Sequence, residues 1–272
     1  MSTVVLCAPF DPITEAELQA AAAVLKHPDV TAVILAAEDE GVLDVQTRLS
    51  FVKRAVRPYR RMHAALACDV SGIRLEESLI DSERIVREGA FRKAAPGIRK
   101  TLAEGMLYLD TAVDACCKPR RAAHSRSVAD LCRKLAEAHG LDSDKAWKMG
   151  MLHDLTKAWP EEKGRTMLEI YAPETVSYAP PVYHSFTCPV FLKTVMGIED
   201  REILQAIRQH TLGDCTGPLS KILYIADKIE PTRGYDVSKE TELAKKDLDA
   251  AFRLVYMEAE QYRERRTDGG TA

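Results

Sequence analysis

His124, the doublet His153-Asp154, His184, His210 and Asp227 fall in order along the second half of this 272-residue chain, each in a segment with a helical apolar pattern. The doublet lies in GMLHDLTKAW at 150–159. Adjacent side chains diverge by about 100° around a helix, so His153 and Asp154 reach one ion together only if it lies off the helix end. Other ligands must then arrive from separate segments, and each of these segments supplies one. Four of the seven histidines take part. The pattern points to a metal-dependent hydrolase.

The neighbours of these residues carry further meaning. His124 opens a segment in which Val128, Leu131, Cys132 and Leu135 repeat at i, i+3, i+4 and i+7. His184 follows the proline-rich YAPPVYHS and opens another helix, while His210 ends REILQAIRQH. In LSKILYIADKIEP, Leu219, Ile222, Leu223, Ile225, Ala226 and Ile229 surround Asp227, whose carboxylate is costly there unless paired or metal-bound. Lys157 lies three residues beyond Asp154, on the same face if the helix continues. It is placed to neutralise a substrate phosphate or orient Asp154, which makes Asp154 and Lys157 the candidate catalytic pair. His27, His63 and His139 lack such context and read as surface or capping residues. Imidazole and carboxylate ligands without thiolates suit Zn, Fe, Mn, Co or Ni without choosing among them. Six protein ligands exceed what one catalytic ion with an open position takes. Two ions bridged by Asp154 use them economically.

The first half reads differently. STVVLCA at 2–8 is an expected strand, followed by a loop, FDP at 10–12, and a helix whose N-cap is Thr14, with Glu17 completing a capping box. A second strand follows at VTAVILAA, 30–37, then a helix over 45–57, and LACDVSG at 66–72 suggests a third strand. Such alternation predicts a parallel α/β sheet. From about residue 98 the strand signals stop, and helices are expected at 98–117, 122–139, 143–156, 183–196, 199–211, 217–229 and 239–264. Asp142 or Ser143 caps the helix that delivers the doublet, and Pro160 ends it. The expected fold is thus an α/β N-terminal domain over 1–110 plus an all-α helical bundle over 111–264. The charged, Gly-bearing tail at 265–272 is expected to be disordered.

Composition narrows the partners. A net charge of −3 gives no general pull toward nucleic acid or an anionic membrane, so any phosphate binding must be local. TAVILAA at 31–37 falls far short of the roughly 20 residues that span a bilayer, and the N-terminus carries no signal-like n-region or cleavage site. Seven scattered cysteines without a CxxC pair suggest reduced thiols in the cytoplasm. The expected partner is a small molecule, with a homodimer left open.

Residues 118–262 resemble the HD-domain phosphohydrolases, and within them the YqeK family of symmetrical diadenosine tetraphosphate hydrolases. The resemblance rests on HSRSVADLCRKLAEAHGLD, MLHDLTK, VYHSFTCPVFL and AIRQHTLGDCTGPLSKILYIADKIEPTR, the last with its IEPxR ending being the most specific. It implies that His124, His153, Asp154 and Asp227 hold one metal. His184 and His210, with Asp154 bridging, would hold a second, usually iron in that family. Lys157, Arg208 and Arg233 match positions expected near substrate phosphates. The implied reaction cuts diadenosine tetraphosphate in the middle to give two ADP, a metal-bound hydroxide attacking phosphorus in line. Asp214-Cys215-Thr216 departs from a stretch that is Gly-, Arg- and Pro-rich in that family, and the loss of a basic residue there bears on substrate choice.

The first half is similar to nicotinate-nucleotide adenylyltransferase, in damaged form. VVLCAPFDPITEAEL aligns with the opening GGTFDPPHxGH of that family, but Ala8 and Pro9 replace the glycine-rich turn and Thr14 and Glu17 replace its histidines. IDSERIVREG at 80–89 resembles the ISSTxIR signature, and FRKAAPGIRKTLAEGMLYLD the usual C-terminal helix. The resemblance implies a shrunken, Rossmann-like, catalytically dead nucleotidyltransferase domain. Three readings compete with the diadenosine tetraphosphate hydrolase: an HD phosphohydrolase acting on another nucleotide, an active adenylyltransferase, which would form deamido-NAD, and a regulator with structural metals, which would bind a nucleotide without product.

Overall fold

The computed structural model describes residues 2–75 and 91–268. The IDSERIVREG motif at 80–89 lies outside them. The chain divides into two compact units, Met1–Ala112 with Thr194–Ile198, and Val113–Lys193 with Glu199–Ala272.

The first unit is built on β1 (Ser2–Ala8), α1 (Glu15–Val24), β2 (Val30–Ala37), α2 (Val45–Val56), β3 (Met62–Leu66) and β4 (Ile73–Arg74). The sheet is parallel, in the order β3-β2-β1-β4, with Val5 opposite Ile34 and Leu35 opposite Ala64. Its near-continuous apolar runs suit strands covered on both faces. The strand expected at 66–72 is displaced: β3 ends at Leu66, a 3-10 turn takes Ala67–Asp69, and β4 follows at Ile73. Thr14 caps α1 as expected. Its Oγ1 accepts from Glu17 N at 3.1 Å, and Glu17 Oε2 accepts from Thr14 N at 2.6 Å.

Open α/β sheets bind ligands in the crevice beyond the carboxyl ends of their strands. Here the chain fills that position with its own side chains. Arg48 of α2 is 0% exposed, and its guanidinium donates to Glu38 O at 2.8 Å, Asp39 O at 2.7 Å, Leu43 O at 2.7 Å and also to Pro9 O. Asp11, also buried, accepts the Tyr108 hydroxyl at 2.5 Å and the Val42 amide. The single helix expected over 98–117 is split into α3 (Pro96–Gly105) and α4 (Leu109–Cys116). Met106 and Tyr108 break it with φ of 48° and 64°. Non-Gly residues enter this left-handed region at a cost of about 1–2 kcal/mol, and here the break coincides with the Tyr108–Asp11 bond.

The second unit is helical: α5 (Pro119–Ala138), α6 (Ser143–Leu152), α7 (Glu161–Tyr171), α8 (Tyr183–Phe191), α9 (Arg201–Gln209), α10 (Pro218–Ile229), α11 (Ser238–Lys246) and α12 (Leu248–Asp268). Val128, Cys132 and Leu135 of α5 and Met149, Met151 and Leu152 of α6 form part of its core. The two helices approach closely. A Cβ on Gly150 would stand 2.5 Å from Ala129 Cα, so only glycine fits. The apolar pattern did not reveal α7. The helix expected at 143–156 ends at Leu152, and that expected at 183–196 gives way to a π-helical turn at Leu192–Met196. The last expected helix is two, α11 and α12, and α12 carries 265–268 where a disordered tail is expected; 269–272 lie outside the described residues. Among the described residues no helix is long and apolar enough to cross a membrane.

Candidate metal centre

Four imidazoles meet in the helical unit, and each is aimed by a hydrogen bond at Nδ1. His153 and His210 are the C-cap residues of α6 and α9, so each reaches back to a carbonyl left free at its helix end. His153 Nδ1 donates to Gly150 O at 2.7 Å, and His210 Nδ1 to Ile207 O at 2.6 Å. His184 does the same with Pro181 O at 3.0 Å. His124 of α5 donates across the fold to Glu230 Oε1 at 2.9 Å. Glu230 is 1% exposed and itself fixed by Thr232, whose amide and hydroxyl donate to it at 2.6 and 2.7 Å. A carbonyl only accepts, so the proton sits on Nδ1 of His153, His184 and His210 and the lone pair on Nε2. This is how metal-ligating histidines are oriented.

The four Nε2 atoms converge on Asp154, which is 2% exposed. Its Oδ2 lies 3.6 Å from His153 Nε2 and 4.0 Å from His124 Nε2. Its Oδ1 lies 3.4 Å from His184 Nε2 and 3.9 Å from His210 Nε2. One carboxylate therefore faces two pairs of imidazoles with different oxygens. Asp227 joins the first pair, 3.1 Å from His124 Nε2 and 3.8 Å from His153 Nε2. Donor atoms of His124, His153 and Asp154 lie within 4.8 Å of one another, as do those of Asp154, His184 and His210.

Apart from that of His124, the charge states suit cation binding. Burial pushes His153 down, His184 well down and His210 to about 4, so all three favour the neutral form that ligates metals. Burial also pulls His124 down, but hydrogen bonds to Asp227 and Glu230 outweigh it and hold it above the usual value. Burial opposes ionisation of Asp154 and Asp227. The imidazoles around Asp154, and Lys228 and His124 beside Asp227, hold both below the usual carboxylate range. Among the described residues His153 Nε2 is fully buried without a hydrogen-bond partner. Such an orphan costs about 1–3 kcal/mol, and a cation removes the deficit. The donor set fits a divalent metal ion.

Basic residues border the cluster. Lys157 sits on a turn, its amide bonded to Asp154 O at 2.9 Å, rather than on a continuing helix. Its Nζ is 3.1 Å from both ring nitrogens of His184, and burial lowers its pKa. Arg233 Nη2 lies 3.1 Å from Asp227 Oδ1. Arg208 does not join them: its guanidinium stacks 5.1 Å over the Phe186 ring. Sequence reasoning missed Arg121, which donates to Asp154 Oδ2 at 2.8 Å, and Lys228, which donates to Asp227 Oδ2 at 2.8 Å. It also missed Glu230 and Thr211. Arg121 stands one helical turn before His124, and Glu230 lies inside IEPTR, so both carried a readable signal.

Comparison with known proteins agrees with this geometry. A family model described as "HD domain" matches residues 121–232. The chain is 32% identical over 157 residues to a Mycoplasma genitalium protein named "Probable nicotinate-nucleotide adenylyltransferase/Ap4A hydrolase", covering 54% of this chain and 44% of that one. A Mycoplasma pneumoniae protein of the same name is 29% identical, and the chain spans 50% of it; this chain thus covers half or less of the length of these two relatives. It is 32% identical over 146 residues to the Bacillus subtilis "Bis(5'-nucleosyl)-tetraphosphatase, symmetrical", covering 51% of this chain and 78% of that protein. A solved structure titled as a "predicted HD superfamily hydrolase involved in NAD metabolism" from Clostridium acetobutylicum aligns with a TM-score of 0.55 at 27% identity, over 58% of this chain and 87% of that one. The chain belongs to the HD-domain family whose members include the symmetrical bis(5'-nucleosyl)-tetraphosphatases.

Proposed function

We propose that the chain is a metal-dependent phosphohydrolase that cleaves diadenosine tetraphosphate, or a closely related dinucleoside polyphosphate, symmetrically to two ADP. One observation carries this reading. Four buried imidazoles commit Nδ1 to a hydrogen bond and turn Nε2 toward the two oxygens of Asp154. We take His124, His153, Asp154 and Asp227 as ligands of one ion and His184, His210 and Asp154 as those of a second, with iron as the native metal. Bound there, such a pair activates water and polarises phosphoryl oxygens.

The chain's own residues do the rest. Ionised Asp154 spans both ligand sets and fixes their spacing. Glu230 holds the ring of His124 in one orientation. Lys157, Arg121 and Arg233 bring positive charge beside the carboxylates, where it stabilises the equatorial oxygens of an in-line displacement. In this reading Arg208 reaches a phosphate only by leaving Phe186. The name of the Bacillus subtilis relative supports the substrate.

We also take residues 1–110 as a degenerate nucleotidyltransferase-like domain without catalysis, joined to a phosphohydrolase domain at 111–264. In support, Thr14 and Glu17 bond to each other, and Arg48 and Asp11 are engaged by their own chain. Seven free cysteines fit the reducing cytoplasm, where we take the enzyme to act.

The test is purification without chelators, elemental analysis, and chromatography of diadenosine tetraphosphate digests. About two metal ions per chain with ADP as sole product is the expected result. Metal without turnover would sink the substrate assignment, and absence of both would sink the enzyme. Formation of deamido-NAD from ATP and nicotinate mononucleotide would overturn the reading of residues 1–110.

A further inference from the structure

Thr211 follows His210 directly, and its Oγ1 lies 3.2 Å from His210 Nε2 and 3.1 Å from His184 Nε2. Ser185 of α8, fully buried, donates its hydroxyl to the same oxygen at 2.6 Å. Thr211 Oγ1 thus accepts from one side and must donate toward the other. There it meets two imidazole lone pairs, 3.2 Å apart, because both rings commit their Nδ1 proton to a carbonyl. Lys157 Nζ, 3.1 Å from His184 Nε2, supplies a proton to one of them, which leaves the Thr211 hydroxyl to His210 Nε2.

Resting on the metal-centre reading above, we propose that Thr211 binds the substrate through a phosphoryl oxygen. With both nitrogens turned to a cation, the Thr211 hydroxyl is repelled from them and needs another acceptor. A phosphate oxygen at the same cluster is the chemistry that fits: an anionic acceptor with free lone pairs. Ser185 is the positioning residue. By donating to Thr211 it leaves that hydroxyl only one role, that of donor, and fixes where it points. The pair adds direction, where Lys157 and Arg121 add charge.

Calorimetric titration of ADP into metal-loaded protein, with elemental analysis of each sample, tests this. Thr211→Val is expected to keep its metal and to bind ADP about tenfold more weakly, the worth of one hydrogen bond to a charged group. Thr211→Ser is expected to stay within about threefold of the parent, and Ser185→Ala to fall between the two. Thr211→Ala repeats the test without the bulk of valine. Unchanged ADP affinity in metal-replete Thr211→Val and Thr211→Ala overturns the proposal and leaves the metal centre standing. Loss of metal from these variants also overturns it, because Thr211 would then serve the ligands and not the substrate. Parent protein that takes up no metal overturns the metal-centre reading itself, and this proposal with it. Metal-replete parent protein that binds no ADP removes the nucleotide and this proposal together.

Discussion

The crevice of the α/β unit and the His/Asp cluster of the helical unit are both buried polar networks, yet they are finished differently. Around Arg48 each guanidinium nitrogen meets a carbonyl of its own chain, and Asp11 takes the Tyr108 hydroxyl. The network is closed. Around Asp154 four imidazoles turn Nε2 inward, and His153 Nε2 has no partner among the described residues. That network is complete only with something positive added. Burial alone does not mark a functional site, since both regions are buried; the convergence of four imidazoles on one carboxylate does.

The comparison can be broken at four points, from the largest effect down. Replacing His153 and Asp154 together by alanine is expected to leave a folded protein whose turnover falls about 10³-fold or more, the several kcal/mol a metal contributes. Turnover at the parent rate would remove the cluster from the chemistry. Arg48→Met is expected to lower stability in urea titrations by about 3 kcal/mol by orphaning buried carbonyls, with metal content unchanged. If that variant were as stable as the parent and gained nucleotide binding, the crevice would be a site after all. Glu230→Gln keeps the shape but removes the carboxylate behind His124, and metal affinity should drop about 10- to 100-fold by chelator competition. An unaltered affinity would reduce Glu230 to a helix cap. Thr14→Ala should cost about 1 kcal/mol of stability while leaving diadenosine tetraphosphate turnover as it was. A loss of turnover would show that the position does more than cap α1.

How much of this could be read along the chain depends on distance in sequence. The capping box at Thr14 and Glu17 spans three residues, so local chemistry sufficed. The strands at 2–8 and 30–37 and the apolar stripe of α5 follow from their periods. Asp227 was conspicuous because a carboxylate among isoleucines and leucines needs a reason. Arg48 was invisible: in VQTRLSFVKRAV it looks like any helix-surface arginine, and its carbonyl partners belong to loops after β1 and β2. The break at Met106 and Tyr108 was equally hidden, since neither is a glycine or proline. The division of labour between Asp154 Oδ1 and Oδ2 depends on four helices meeting, which no local pattern encodes.

Three of the four rings are steered by carbonyls of their own segment, three residues back: His153 by Gly150, His184 by Pro181 and His210 by Ile207. Each helix end therefore arrives with its ligand already aligned, like a part set before assembly. Sequence drift in the connecting loops can shift such a helix bodily but cannot twist its ring. His124 is the exception, steered by a residue 106 positions away. Inherited variation should therefore be borne poorly at 230–233, where one contact aligns the only one of these four rings that its own helix leaves loose.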